Sequence, residues 1–159
     1  MKTPVYFIAM LILFSMNSYA QNLEHFTIEK RGNNSWNLLP NFDKPPQSGV
    51  NGIMMYPEGN IIIKWVKNAL KTLPEEIKQK VSKEEIRVLF IFNAEGKIFH
   101  VYFFVIAEDI NFMTDQQWLE LYHTIQNMEF DISKFKLRDN FEWGDGGTYP
   151  ISKYLREME

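Results

Sequence analysis

Cysteine is missing from this chain of 159 residues. Its absence excludes disulfide bonds, thiol nucleophiles and cysteine-ligated zinc, on which many small exported domains depend. It also excludes a lipid-anchored bacterial lipoprotein, because the lipid of such a protein is attached to a cysteine at the point of cleavage. For an exported chain, the lack of cysteine therefore points toward a bacterial periplasm.

An excess of positive charge is also missing. The chain has 17 basic and 20 acidic side chains, and its formal net charge is −3. This balance argues against nucleic acid as a partner, since binding to phosphates needs a basic surface.

The sequence shows no set of metal ligands. The three histidines, His25, His100 and His123, are scattered without metal-ligand spacing. The acidic stretch near residue 140 fails the calcium-loop pattern, because Phe141 and Trp143 stand where oxygen ligands are required. We therefore predict no metal and no other cofactor.

Paired catalytic carboxylates are not evident either. The nearest pairs are Glu108 with Asp109 and Glu142 with Asp145, and neighbouring acids in turns are usually just solvated. His100 is predicted to face the core, where a hydrogen bond should satisfy its ring. No nucleophile or carboxylate is singled out for it as a general base. The prediction is a protein that is not an enzyme.

A cleavable signal peptide is predicted at residues 1–20. Lys2 precedes the apolar stretch 5–14, and small residues ending in Ala20 occupy the positions that a signal peptidase reads. A transmembrane helix needs about 20 apolar residues, so this stretch is too short to span a bilayer. We expect a mature chain that starts at Gln21, without stable membrane insertion, in the periplasm or outside the cell.

The remaining chain is predicted to form an irregular leading arm, 21–59, followed by a single α+β domain, 60–159. Proline and glycine break any regular period in the arm, although one short strand is expected at 25–30. The arm contains too many apolar residues for a free linker. We therefore expect it to pack along the domain.

Two helices and a hairpin make up the predicted domain. Apolar residues recur at helical spacing over 60–73 and 114–128, and Thr114 with Gln117 forms a capping-box pattern. Between these helices, the segment 86–106 is rich in β-branched and aromatic residues and has a glycine-containing turn at its centre. The fold class is α+β, with a small antiparallel sheet and a central hairpin packed against two helices.

The hairpin has apolar residues on both faces. If Asn93 pairs with Lys97, the side chains of alternate residues in the two strands lie on a common face, which should be the core. The predicted core residues are Ile86, Val88, Phe90, Phe92, Ile98, His100, Tyr102, Phe104 and Ile106. The opposite face needs a cover, which the leading arm, a second copy of the chain in a homodimer, or a partner protein would provide.

The C-terminal part is predicted to contain short strands at 129–133 and 148–154, separated by a glycine-rich loop at 143–147. Trp143 and Asp145 in this loop are candidate ligand-binding residues, because an exposed indole stacks well on a sugar or a peptide. A tryptophan that anchors its own loop explains the same pattern.

Three features of the chain resemble the TonB C-terminal domain family over residues 56–155. They are Tyr56-Pro57 before the first helix, a strand-turn-strand with glycine in the turn, and Tyr149-Pro150-Ile151 near the end. Members of that family lie in the periplasm of Gram-negative bacteria and bind an extended transporter segment edge to edge.

The resemblance implies a partner-binding edge at 148–154. The candidate partner-binding residues are Thr148, Tyr149, Pro150, Ile151 and Ser152. We expect this chain to depart from an energy transducer, because a cleavable signal is predicted and neither a membrane anchor nor a Pro-rich spacer is.

The sequence thus predicts a non-enzymatic exported module that binds an envelope protein or peptide through a sheet edge or an exposed sheet face. The alternative is a small-ligand or glycan-binding domain that uses the Trp143 loop.

Overall fold

The computed structural model describes residues 23–46 and 53–159. The predicted signal peptide, residues 21 and 22, and the arm segment 47–52 lie outside the described residues. The strands are β1 (Phe26–Lys30), β2 (Ser35–Pro40), β3 (Ile53–Met55), β4 (Glu85–Asn93), β5 (Ile98–Ile106), β6 (Lys136–Leu137) and β7 (Trp143–Pro150). The helices are α1 (Ile61–Lys71), α2 (Glu75–Lys83), α3 (Asp115–Gln126) and α4 (Ile151–Arg156), with single 3-10 turns at Ile110–Phe112 and Ile132–Lys134.

Five strands form one antiparallel sheet in the order β1-β2-β5-β4-β7, and β3 pairs with β6 in a separate small sheet. The predicted α+β class and the central hairpin are confirmed. The Asn93 N–H donates to the Lys97 carbonyl at 3.0 Å. Gly96 has a φ of +78°, the left-handed conformation that the predicted turn requires.

Helix α3 covers one face of this sheet. Thr114 and Gln117 form the predicted capping box, which satisfies backbone donors at the start of the helix. Trp118 of α3 is fully buried, and its ring centroid lies 5.5 Å from that of Phe103 in β5. Burial of such large apolar groups between helix and sheet is the largest favourable term in the folding free energy. At α1, Asn60 holds the N-cap position without a side-chain hydrogen bond to the helix.

A β-bulge interrupts the pairing of β4 with β5. Phe92 pairs with Ile98, whereas the preceding residue Ile91 pairs with His100, so Phe99 is an extra residue in β5. Side chains alternate with a period of two along a strand. One extra residue therefore moves all the following side chains to the other face.

The bulge corrects the predicted core face of β5. All four predicted core residues of β4, together with Ile98 and His100, are buried. After the bulge the buried residues are Val101, Phe103 and Val105. The prediction for Tyr102, Phe104 and Ile106 is wrong, because these side chains lie on the face away from α3.

The leading arm is more regular than predicted. The strand expected at 25–30 is confirmed as β1, and β2 connects β1 to β5 within the main sheet. Asn37 and Pro40 interrupt the apolar residues of β2, so its composition is typical of a loop. The arm residues at 26–40 are therefore part of the sheet and not a packed appendage.

The C-terminal elements also differ from the prediction. The expected loop at 143–147 belongs to β7, and the strand expected at 148–154 ends at Pro150, where α4 begins. Proline suits the start of a helix because its fixed φ is helical and its missing N–H needs no partner there. The strand expected at 129–133 is instead a 3-10 turn capped by Asp131.

Gly146 of β7 permits close packing against an aromatic pair. A Cβ atom at this position would lie 1.9 Å from Cε2 of Phe90. The Phe90 ring stacks on Tyr149 with a centroid distance of 5.8 Å and an interplanar angle of 18°. A side chain at position 146 would displace this stack.

We expect Gly146→Ala to lower the free energy of unfolding by about 3 kcal/mol, because the new methyl group overpacks the core at Phe90. Gly59→Ala is the control. Gly59 has a φ of +70°, and a Cβ atom added to it would have no neighbour within 4 Å, so this change should cost about 1 kcal/mol from backbone conformation alone. Urea unfolding of both variants measures the difference, and equal losses would contradict the importance of the Phe90 contact.

Candidate binding surface at the β7 edge

The five predicted partner-binding residues fall into two groups. Thr148, Tyr149 and Pro150 form the end of β7, whereas Ile151 and Ser152 open α4 and are buried. The Ser152 hydroxyl accepts a hydrogen bond from the Ile86 N–H at 2.8 Å. The prediction is corrected for Ile151 and Ser152, which attach α4 to β4 and are not available to a partner.

Strand β7 is an edge of the main sheet, because among the described residues it pairs only with β4. Part of this edge is occupied, since the Tyr56 hydroxyl donates to the Asp145 carbonyl at 2.9 Å. A bulge follows, where Gly146 and Gly147 lie between two successive pairs with β4. The open part of the edge is therefore short and comprises residues 148–150.

Apolar side chains cover the sheet face that lies away from α3. We call this the outer face and define it by Leu39, Leu89, Ile91, Tyr102 and Phe104, all of which are partly exposed. The described part of the leading arm extends this sheet sideways as β1 and β2, so it does not cover the outer face as expected. Contiguous apolar surface of this kind is typical of a contact site.

The predicted ligand-binding loop is a strand. Trp143 pairs with Asn93, and its half-buried ring holds Nε1 in a position without a hydrogen-bond partner among the described residues. Asp145 accepts a hydrogen bond from the Gly147 N–H at 2.6 Å and so stabilises the bulge. Trp143 is therefore part of a strand and not of the predicted loop, and its ring is partly exposed.

Two tyrosines reinforce this end of β7 as hydrogen-bond donors. Tyr149 donates to the Gly146 carbonyl at 2.7 Å. Burial raises the pKa of Tyr149, and burial with the nearby Asp145 charge raises the pKa of Tyr56. Both hydroxyls stay protonated at neutral pH and fix the backbone of the bulge.

A second polar cluster joins the leading strand to α3. The Asp115 carboxylate accepts from the backbone N–H of His25 at 3.1 Å and also bonds the Nδ1 of its ring. Ligand atoms of Glu24, His25 and Asp115 lie within 4.8 Å of one another. Sequence spacing gives no sign of this cluster, because Asp115 is distant from His25 along the chain. Its geometry is that of an ion pair which holds β1 against α3.

The other two histidines have different surroundings. His100 is 1% exposed and its ring lies 5.8 Å from that of Tyr102. Its Nδ1 has no partner among the described residues, so the expected hydrogen bond is not found at this atom. Burial lowers the pKa of His100, so its ring is uncharged at neutral pH. His123 is exposed on α3 in a groove of about 430 Å³ between α1 and α3.

No protein-family model and no curated protein sequence matches this chain. Among solved structures, the crystal structure of a DUF5043 family protein from Bacteroides uniformis is similar, with 9% sequence identity and a TM-score of 0.49. The similarity covers 80% of this chain and 90% of that chain. In the part of the chain described by the structure, no helix is long and apolar enough to cross a membrane.

The His25–Asp115 pair makes stability depend on pH. The hydrogen bond to Asp115 raises the pKa of His25 in the folded protein above its ordinary value of 6.5, although burial opposes the shift. A raised pKa means that the pair stabilises fully below about pH 6.5 and loses this effect as the pH rises through the folded value.

We therefore expect Asp115→Asn to lower the free energy of unfolding more at about pH 5.5 than at about pH 8.5. Asparagine can still accept from the His25 backbone, so the change isolates the ring interaction. The urea midpoints of the wild type and the variant at the two pH values measure this difference in stability. Both proteins contain the same buried His100, so its contribution cancels in the comparison. A stability difference that is the same at both pH values would contradict the stabilising role of the His25–Asp115 pair.

Proposed function

We propose that this chain is an exported, non-enzymatic module that binds a protein or peptide segment along the end of β7 and the adjoining outer face. The observation that carries the proposal is an uncharged, open sheet edge next to a partly exposed apolar face. A segment added to such an edge gains backbone hydrogen bonds, and alternate side chains gain apolar contacts. The resemblance to the TonB C-terminal domain family favours the same mode of binding.

The two edges of the sheet differ in charge, which is why β7 is proposed and β1 is not. Strand β1 ends in Glu29 and Lys30, and Arg31 follows with a 2.7 Å ion pair to Glu29. Charged side chains on an edge oppose the addition of another strand. The end of β7, residues 146–150, has no charged residue.

The short open edge limits the contribution of backbone pairing. Because only 148–150 is open, a partner strand forms few hydrogen bonds there, and each contributes about 1 kcal/mol net. Contacts with Leu89 and the rest of the outer face must supply the remaining affinity. The partner is therefore an apolar segment of an envelope protein or peptide, bound across the edge and the face together.

Export itself is tested by fractionation. The chain expressed with its own N terminus in a Gram-negative host should appear in the periplasm with Gln21 as its first residue. Ala20→Leu should retain the unprocessed form, because a signal peptidase requires a small residue at that position. Recovery of the full-length chain in the cytoplasm for both proteins would contradict the proposal.

We expect Thr148→Glu to weaken binding of the envelope partner about tenfold without lowering thermal stability, because Thr148 is exposed and glutamate places a charge on the open edge. Thr27→Glu on β1 is the matched control, since Thr27 is an exposed strand residue on the opposite edge. Photo-cross-linking from positions 148 and 27 in intact cells identifies the partner, and its affinity is then measured with both glutamate variants.

Equal weakening by the two glutamate variants would contradict binding at β7. Cross-linking from position 27 alone would place the partner at the other edge.

A further inference from the structure

A groove of about 490 Å³ lies where β4, β7 and α4 meet. Its walls include Thr148 and Pro150 of β7, Arg87 of β4, and Lys153 and Arg156 of α4. Arg87 pairs with Pro150, and Thr148 pairs with Leu89 of the outer face. The groove therefore continues both the open edge and the outer face.

The groove lining has three basic side chains and one acidic side chain, Glu85, and is therefore net positive, although the chain as a whole has a net charge of −3. Arg87 Nη2 lies 3.0 Å from Glu85 Oε1, and these two charges compensate each other. Lys153 Nζ is 3.8 Å from Glu157, but the same carboxylate bonds Lys67 at 2.7 Å. One carboxylate is thus shared by two ammonium groups.

Arg156 adds a charge that no carboxylate among the described residues matches. Its Nη1 donates to the backbone carbonyls of Ser82 at 2.6 Å and Glu84 at 3.4 Å. Both acceptors are neutral, so the positive charge of the guanidinium remains. The two bonds also fix the side chain against the end of α2, which lowers the entropy lost when an anion binds.

We infer that this groove binds a carboxylate of the segment that pairs with β7. The inference rests on the proposed function and deepens it, because it gives the partner an acidic group at one end of its bound stretch. A strand advances about 3.3 Å per residue, so a segment paired at 148–150 enters the groove with its next one or two residues. Arginine and lysine hold a carboxylate by charge-assisted hydrogen bonds. An acidic side chain and a C-terminal carboxylate share this chemistry.

The test uses two random libraries of twelve-residue peptides, one displayed with a free C terminus and one displayed within a loop. Selection is made against the whole protein, against the double variant Arg87→Gln/Lys153→Gln, and against the control Arg31→Gln/Lys134→Gln. The control removes the same charges from equivalent pairs elsewhere, since Arg31 bonds Glu29 and Lys134 lies 3.9 Å from Asp131. Arg156 is kept because it also caps α2.

We expect the peptides selected by the wild type and the control to share an acidic position. Resynthesised peptides should bind the groove variant about tenfold more weakly, the effect of losing roughly one charge-assisted hydrogen bond. Enrichment only in the free C-terminus library, with loss of binding on amidation, assigns the terminal carboxylate. Enrichment of Asp or Glu in both libraries assigns a side chain.

Hydrogen exchange separates failure of the inference from failure of the proposed function. Peptides that protect the backbone amides of Thr148 and Tyr149 but lack an acidic position, or that bind the groove variant equally well, would overturn the carboxylate site alone. Selected peptides that leave these amides unprotected would overturn binding at β7 and the carboxylate site with it. The same conclusion follows if neither library yields a peptide that binds the wild type.

Discussion

The pairing of β4 with β5 is the interaction on which the rest of this structure depends. Among the described strands of this sheet, β2 pairs with β5, β7 pairs with β4, and β1 pairs with β2 alone. The pairing is closed locally by Asn93, whose side-chain oxygen accepts from the N–H groups of Glu95 and Lys97 at 3.1 and 2.9 Å. A turn of a few residues thereby sets the register for strands that are far apart in the sequence.

Features that depend on neighbouring residues were predictable from the sequence. The hairpin turn, the capping box at Thr114 and the two amphipathic helices follow from short-range patterns. The bulge at Phe99 leaves no such pattern, because both faces of β5 are apolar and either register satisfies the alternation rule. Strand β2 is similar, since its pairing with β5 outweighs the weak local preference of Asn37 and Pro40.

The candidate site was predictable only in part. A strand at 148–150 was expected, and it lies on an edge. The end of this strand was misplaced because Tyr154 and Leu155 are compatible with either a strand or a helix, and the buried contact of Ser152 with β4 favours the helix. Arg87, Lys153 and Arg156 stand in separate surface segments with mixed charges. Only tertiary structure brings them to one groove, so no sequence pattern could have identified them.

The position of β7 also matters for how the chain is made. β7 and α4 are the last elements in the sequence, yet β7 pairs with β4 near the middle of the chain. Until they emerge from the ribosome, β4 presents a nine-residue edge that is rich in isoleucine, leucine and phenylalanine. Long apolar edges of this kind recruit other chains into aggregates. The C-terminal segment thus protects the nascent protein as well as completing its fold, and a chain that stops before β7 is exposed to self-association.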